Sequence, residues 1–170
     1  MSHGKSLRVI GQSLECTCIA TFELEKYGPS YMLWSDSVNE AGESFLRSLL
    51  NSADDLVVDG RHHSPKRAFA FSLADISRLD AQAQRQRRNR SPSATSHQKF
   101  ISHGLRVLGE HLDRMQASAF RIEWSNAAVV VDQQRADGTR NSRRFTFEEI
   151  RRLDLQPKLR RSSLFLFPPG

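Results

Sequence analysis

The sequence is poor in the features that mark secreted and membrane proteins. Only two cysteines occur among its 170 residues, Cys16 and Cys18, and a Cys-x-Cys spacing is too close for a disulfide that staples a fold. No apolar run approaches the roughly 18 residues of a membrane-spanning helix, and the first fifteen residues lack the apolar core of a signal peptide. We therefore expect a soluble protein of the reducing cytoplasm, with no membrane span.

Signatures of catalysis and of cofactor binding are also missing. The chain contains no G-x-S-x-G motif, no phosphate-binding loop and no dinucleotide fingerprint. The dense polar cluster Asp59, His62 and His63, in VVDGRHHSP, has a role that the sequence leaves open. Zinc would accept these histidines and the two cysteines as ligands, but the Cys-x-Cys and His-His spacings are not those of zinc sites. We predict a non-catalytic protein with no metal and no cofactor, in which the cysteines form a small buried pair.

Acidic residues are scarce in the second half of the chain. Residues 1–80 carry eight Lys or Arg and eleven Asp or Glu, a charge of −3, whereas residues 81–170 carry 17 and eight, a charge of +9. The excess lies in residues 81–100, with five cations and no acid, and in residues 135–161, with nine cations and four acids. This asymmetry indicates either a polyanionic partner or only a charged, solvated surface.

Tyrosine and tryptophan are absent from the arginine-rich segments. Trp124 is in phase with Phe120 and Ile122 in an alternating pattern, which predicts a core position. Tyr27, Tyr31 and Trp34 flank a predicted hairpin in the acidic half, and this hairpin turns at Gly28-Pro29-Ser30. This separation counts against a site that stacks single-stranded bases on aromatic rings.

The sequence does contain matched segments in the same order. LRVIGQSLE (residues 7–15) and LRVLGEHLD (residues 105–113) share five of nine residues, and TFELE (residues 21–25) matches AFRIE at the same offset of 98. FSLADISRLDAQ (residues 71–82) and FTFEEIRRLDLQ share six of twelve at an offset of 74. The difference between the offsets corresponds to 24 residues inserted in the first copy. Ordered matches of this kind indicate an internal duplication.

Each matched segment predicts a structural element. The first is an amphipathic helix with a glycine inside it, Gly11 or Gly109, and because this costly glycine occurs twice we expect close helix approach there. The second is a half-buried strand, and the Asp137-Gly138 pair predicts a later hairpin. The third is a strand-to-helix junction. Its capping boxes pair Thr146 with Glu149 and, with a poorer aspartate partner, Ser72 with Asp75, and an apolar staple flanks each box.

We therefore predict an α+β fold built from two α-β-β-β-α units. Its antiparallel sheets have helices on one face, and the units are related by a pseudo-twofold axis. Whether the units share one sheet is left open. An inserted helix near residues 37–50 would present Val38, Ala41, Phe45 and Leu49 on one stripe. The domain boundaries are unit one at 1–83 with its insertion at about 37–66, a flexible Arg/Ser-rich linker at 84–98, unit two at 99–161 and an apolar tail at 162–170.

The predicted function is a basic module that contacts nucleic acid mainly through phosphates. Arginine dominates its cationic segments, and the guanidinium group suits bidentate phosphate contacts. The predicted binding residues lie in the linker, the Asp-Gly hairpin and the C-terminal segment: Arg85, Arg87, Arg88, Arg90, Arg135, Arg140, Arg143, Arg144, Lys158, Arg160 and Arg161.

An alternative hypothesis is an accessory or assembly subunit that binds a protein and no nucleic acid. The halves of opposite charge could bridge two partners or support a homo-oligomer. The tail LFLFPPG could dock on another chain.

Overall fold

The computed structural model describes residues 2–26, 28–50, 67–86 and 96–153. The described helices are α1 (His3–Leu14), α2 (Glu40–Leu49), α3 (Leu73–Gln86), α4 (Ser96–Arg114) and α5 (residues 147–153). The described strands are β1 (Phe22–Lys26), β2 (Tyr31–Ser35), β3 (Arg67–Phe71), β4 (Ala117–Trp124), β5 (Val129–Arg135) and β6 (Arg140–Phe145). The predicted α+β class is therefore confirmed. In the part of the chain covered by these ranges, no helix has the length and apolar character needed to cross a bilayer.

The six strands form one sheet in the order β3-β2-β1-β4-β5-β6. Every neighbouring pair is antiparallel. β1 and β4 meet at the centre, where Leu24 lies opposite Ile122, and β3 and β6 are the outermost strands. The strands of both predicted units thus belong to a single sheet, which answers the question that the sequence left open.

Side chains of the sheet alternate between two faces. One face, called the helix face, carries apolar residues that are at most 5% exposed: Leu24, Leu33, Phe69, Phe120, Ile122, Val131 and Phe145. The opposite face, called the second face, carries polar side chains over the centre and the β6 edge: Glu23, Glu25, Arg121, Glu123, Asp132, Gln134, Arg140, Ser142 and Arg144.

The helices pack on the helix face or on one another. Aromatic contacts fix three of them, with ring centroids 5.1 Å apart for His3–Phe120 (α1), 5.9 Å for Phe100–Trp124 (α4) and 5.8 Å for Phe147–Trp124 (α5). Glu43 of α2 forms an ion pair with Arg67 of β3. Asp80 of α3 accepts a hydrogen bond from Arg8 of α1 at 2.8 Å. One continuous core therefore lies between the sheet and the helices.

The two helical glycines lie where α1 and α4 cross. A Cβ atom on Gly11 would be 2.8 Å from the Cα of Ser102, and one on Gly109 would be 2.6 Å from the carbonyl oxygen of His3. Real Cβ atoms do not approach backbone so closely, because the interior is packed to the density of a crystal. The close approach expected from the glycine pair therefore occurs between these two helices.

The junctions before α3 and α5 have the expected caps, with one difference. Ser72 Oγ accepts from the Asp75 amide at 3.1 Å, and Asp75 Oδ2 accepts from the Ser72 amide at 3.2 Å, so this box is complete. Thr146 Oγ1 accepts from the Glu149 amide at 3.1 Å but donates to the Glu149 carboxylate. Aspartate is thus not the poorer partner expected, because Arg78 also holds the buried Asp75 carboxylate in place. The apolar staples are buried at both junctions: Phe71, Ile76, Phe145 and Ile150.

The inserted helix forms, and three of the four residues of the predicted stripe, Val38, Phe45 and Leu49, pack partly buried against the core. α2 begins at Glu40, after Asn39, whose side chain caps the helix by accepting from the Gly42 amide at 2.7 Å. Ala41 is exposed, whereas Leu46, which is absent from the predicted stripe, is fully buried. The buried face therefore includes Leu46 as well as three of the predicted residues, and Glu43 forms an ion pair with Arg67 on β3.

The predicted linker is helical at both ends. α3 continues to Gln86, and α4 begins at Ser96. Residues 87–95 lie outside the described ranges, as do the inserted loop 51–66 and the predicted tail.

Candidate nucleic-acid interface

Five of the eleven predicted binding residues fall in the described ranges. Each of them is exposed: Arg85, Arg135, Arg140, Arg143 and Arg144. The other six lie outside the described residues: Arg87, Arg88, Arg90, Lys158, Arg160 and Arg161.

A tight turn brings four of these arginines together on the β5–β6 hairpin. Gly138 adopts a φ of +90°, which residues with a Cβ rarely tolerate. The Arg135 amide donates to the Thr139 carbonyl at 2.9 Å, and Asp137 Oδ1 accepts from the Thr139 amide at 2.9 Å. Hydrogen bonds from the Thr139 side chain and from the Thr139 amide lower the pKa of Asp137, because they favour its charged form. The turn therefore places Arg140 and Arg135 on adjacent strands beside the loop.

β6 is an edge strand that is exposed along nearly its whole length. Its residues from Arg140 to Arg144 are all exposed, and only Phe145 at its end is buried. Pairing with β5 places Arg143 opposite the core residue Val131, hence on the helix face, while Arg140 and Arg144 lie on the second face. One strand therefore presents arginines on both faces of the sheet.

Most of these guanidinium groups form no ion pair with a described residue. Among the described residues, no carboxylate lies within ion-pair distance of Arg135, Arg140 or Arg144. Arg143 reaches Glu149 at 3.6 Å, and its guanidinium carbon lies 4.5 Å from the centroid of the Phe145 ring. Its side chain is nevertheless 53% exposed. Free, exposed arginines of this kind are available to phosphate oxygens.

His111 of α4 lies beside the hairpin on the helix face. Its ring makes an edge-on contact with Phe145 at a centroid distance of 5.6 Å. Burial lowers the pKa of His111, and the positive charges of Arg114 and Arg143 lower it further. The positive charge at this end of α4 therefore comes from Arg114, whereas the lowered pKa favours the neutral form of His111.

The centre of the second face has the opposite character. Arg121 of β4 lies 2.8 Å from Glu23, 3.2 Å from Glu123 and 3.5 Å from Glu25. Three carboxylates surround one guanidinium group, so Arg121 has no free charge to offer a phosphate. The predicted binding set did not include Arg121, although the alternation of AFRIE does place it opposite the core side chains.

A depression of about 840 Å³ lies between this acidic centre and the hairpin. Its lining contains two rows of second-face residues that cross from β1 to β6: Glu25, Arg121, Asp132 and Ser142 in one row, and Ala119, Gln134 and Arg140 in the next. The small Ala119 side chain leaves space above the sheet. Arg140 therefore stands at the rim of a concave surface of mixed charge.

Arg85 lies apart from the hairpin. It is near the end of α3, which follows β3, the strand at the opposite edge of the sheet from β6. Five strand spacings of about 4.8 Å separate the two edges. The described part of the predicted interface therefore consists of the four hairpin arginines.

The cysteines differ from the expected buried pair. Both thiols are free and exposed, because the chain leaving α1 turns Thr17 and Ile19 inward instead. Thr17 Oγ1 donates to the Leu14 carbonyl at 2.8 Å and so ends the helix. In the described ranges, no group of three or more His, Cys, Asp or Glu side chains is arranged to hold a metal ion. Asp59, His62 and His63 lie outside those ranges.

The chain matches no family model, and no curated protein or solved structure is significantly similar to it.

Proposed function

We propose that this protein is a non-catalytic module that binds nucleic acid through phosphate contacts of its β5–β6 hairpin. The observation that supports this proposal is the exposed edge strand β6, on which, within the described ranges, Arg140 and Arg144 form no ion pair and Arg143 forms a solvent-exposed one with Glu149. Phosphate contacts need charge, donors and access, and these side chains supply all three.

The expected energetics follow from counterion release. Each phosphate neutralised on B-form DNA contributes about −0.9 to the slope of log K against log salt concentration. Three or four hairpin arginines therefore predict a loss of about 40-fold to 150-fold in affinity between 50 and 200 mM salt. Binding of this type is sequence-tolerant, because phosphates carry no base information.

A titration of fluorescence anisotropy with labelled DNA and RNA tests the proposal. The variant R140Q/R143Q/R144Q removes three positive charges from β6. Its matched control, Q12E/S44E/Q82E, lowers the net charge by the same amount at exposed positions of α1, α2 and α3. We expect the hairpin variant to lose at least tenfold in affinity at about 50 mM salt and to flatten the salt slope by about 2.7. The control should change both much less.

Two results would contradict the proposal. One is the absence of binding to any nucleic acid at about 50 mM salt, where phosphate contacts are strongest. The other is an equal loss in the hairpin variant and the charge-matched control, which would assign binding to net charge and not to the hairpin.

The second candidate function is an accessory subunit that binds a protein. The depression on the second face supports it, because Glu25, Asp132, Arg121 and Arg140 present both signs of charge on a concave surface, as polar protein interfaces do. This function predicts a partner, or a second copy of the chain, that stays bound at moderate salt. Light scattering and co-purification at about 300 mM salt, well above physiological ionic strength, distinguish it from phosphate binding.

We also propose that the two halves arose by duplication and are related by a pseudo-twofold axis. Leu24 and Ile122, which face each other at the centre of the sheet, are equivalent at the offset of 98. The contact of Gly11 with Ser102 has its counterpart in that of Gly109 with Gly4, at the same offset. In an experimental structure, superposing α1-β1-β2 on α4-β4-β5 should require a rotation close to 180°. A rotation far from that value would contradict the axis.

A further inference from the structure

The hairpin arginines extend from both faces of the sheet, so they can contact two phosphate backbones at once. Arg140 and Arg144 lie on the second face of β6, four residues or about 14 Å apart along the strand. Arg143 lies on the helix face of the same strand, so its guanidinium group extends in the opposite direction. A single strand of nucleic acid offers one phosphate backbone, whereas a duplex groove offers one on each side.

The described surface has no platform for unpaired bases. None of its aromatic side chains is exposed, and the large apolar residue that is exposed there, Leu73, lies at the start of α3. At and beside the hairpin, Phe145 and Trp124 are 1% and 2% exposed, and Phe100 and Phe147 are partly buried against the core. Proteins that hold single strands obtain much of their affinity by stacking bases on aromatic rings.

The width of the major groove decides which kind of duplex the sheet edge could enter. β6 pairs only with β5 among the described strands, so its outer edge has no described strand beside it. The major groove of B-form DNA, about 12 Å wide, admits a two-stranded ribbon. The major groove of A-form RNA is too narrow for side chains to enter.

We propose that the protein binds duplex DNA by lying with β6 along the major groove, where Arg140 and Arg144 contact the phosphates of one strand and Arg143 those of the other. The inference rests on the proposed function and adds the class of nucleic acid and the groove. The backbone edge of β6 faces the base pairs in this arrangement, so the affinity depends weakly on sequence.

Anisotropy titrations at about 100 mM salt, where the Debye length is roughly 10 Å, test the class of ligand. The probes are a labelled 20-base-pair DNA duplex, one of its strands, and an RNA duplex of the same sequence. We expect the DNA duplex to bind at least tenfold more tightly than either of the others. Equal or tighter binding of the single strand, or of the RNA duplex, overturns the inference but leaves the proposed function intact. Binding to none of the three overturns both.

A second measurement tests which groove is bound and whether both phosphate backbones are contacted. Glucosylated 5-hydroxymethylcytosine fills the major groove, so a duplex that contains it should bind at least tenfold more weakly, whereas a minor-groove ligand such as distamycin should leave binding unchanged. The single variants R140Q and R143Q should each flatten the salt slope by about 0.9, because each removes one phosphate contact, on different strands of the duplex. Displacement by distamycin, or an unchanged slope in R143Q, overturns the placement in the major groove.

Discussion

At the scale of single residues, Glu149 competes with phosphate for Arg143. The two side chains are 3.6 Å apart and are 38% and 53% exposed, so the pair is weak and screened by solvent. We expect E149Q to raise DNA affinity about twofold to fivefold, as removal of a weak competing charge implies. Glutamine keeps the cap, because the Glu149 amide still donates to Thr146. Anisotropy titrations measure the change.

The adjacent Glu148 provides a matched control for this prediction. Its side chain is 71% exposed, and it pairs with Arg152 at 2.8 Å, so E148Q removes the same charge without releasing Arg143. E148Q should raise the affinity less than E149Q does. An equal gain in both variants would assign the effect to general charge and would remove Arg143 from the interface.

His111 should make stability depend on pH. Its pKa in the folded protein is below the ordinary value of 6.5, because burial and the charges of Arg114 and Arg143 disfavour the cation. The unfolded chain therefore takes up this proton at a higher pH than the folded chain does. The stability contribution is present above about pH 6.5 and is lost as the pH falls through the folded-state pKa.

NMR titration of the His111 ring and urea unfolding between pH 7.5 and pH 5 measure these effects. R143Q should raise the pKa of His111 only in part, since burial is the largest cause of the shift. H111Q should show a smaller loss of stability over the same pH range than the wild type. An unchanged pKa in R143Q would mean that Arg143 does not lie near the ring.

At the scale of elements, the crossing of α1 and α4 determines how tightly the halves pack. Alanine at Gly11 or Gly109 gains about 1 kcal/mol of helix propensity, but its Cβ would meet backbone at 2.8 or 2.6 Å. The two helices must then separate, and overpacking of this kind typically costs about 1–3 kcal/mol. We expect both variants to be destabilised in urea unfolding.

Gly42 of α2 is the control for this substitution. The nearest atom to a Cβ there, at 3.1 Å, belongs to the Asn39 side chain and not to backbone. G42A should therefore be destabilised less than G11A or G109A, because no backbone atom blocks its Cβ, although the Cβ would press on the Asn39 oxygen that caps α2. A loss of stability in G42A as large as in G11A would show that helical alanine itself, and not the crossing, is responsible.

At the scale of the whole molecule, the shared sheet should make both halves unfold together. β1 and β4 pair along five residues, and Asp113 of α4 accepts from the His3 and Gly4 amides at 2.8 and 2.9 Å. Each half has one tryptophan, Trp34 or Trp124, and both rings are buried. The variants W34F and W124F therefore each leave a fluorophore in one half. In each variant, the fluorescence and the far-ultraviolet circular dichroism should report the same urea midpoint.

Separate midpoints for the two reporters would contradict this expectation. They would mean that the halves are independent domains, and that the β1–β4 pairing adds little to the stability of either half. The wild-type protein, followed by circular dichroism alone, controls for the cost of replacing each tryptophan.

The sequence by itself determined the local elements. The repeated helical glycines are visible as a sequence match at an offset of 98 residues. The alternation in AFRIE, the Asp137-Gly138 turn and the capping boxes depend on residues a few positions apart, so local rules of periodicity and turn chemistry are enough to predict them. The α+β class follows directly from these elements. The buried face of α2 was predicted in part. Val38, Phe45 and Leu49 pack against the core as expected, but Leu46 was missed, because the side of a helix that faces the core depends on residues far apart in the chain.

Only the tertiary structure decided that β1 pairs with β4 to give one sheet, and which arginines are free. Arg121 and Arg140 both lie on the second face, yet three carboxylates surround Arg121, whereas Arg140 stands on an edge strand and forms no ion pair with any described residue. Sequence composition counts both charges equally. The difference arises from the neighbours that strand pairing brings across the sheet, and those neighbours are set by the global fold rather than by local propensity.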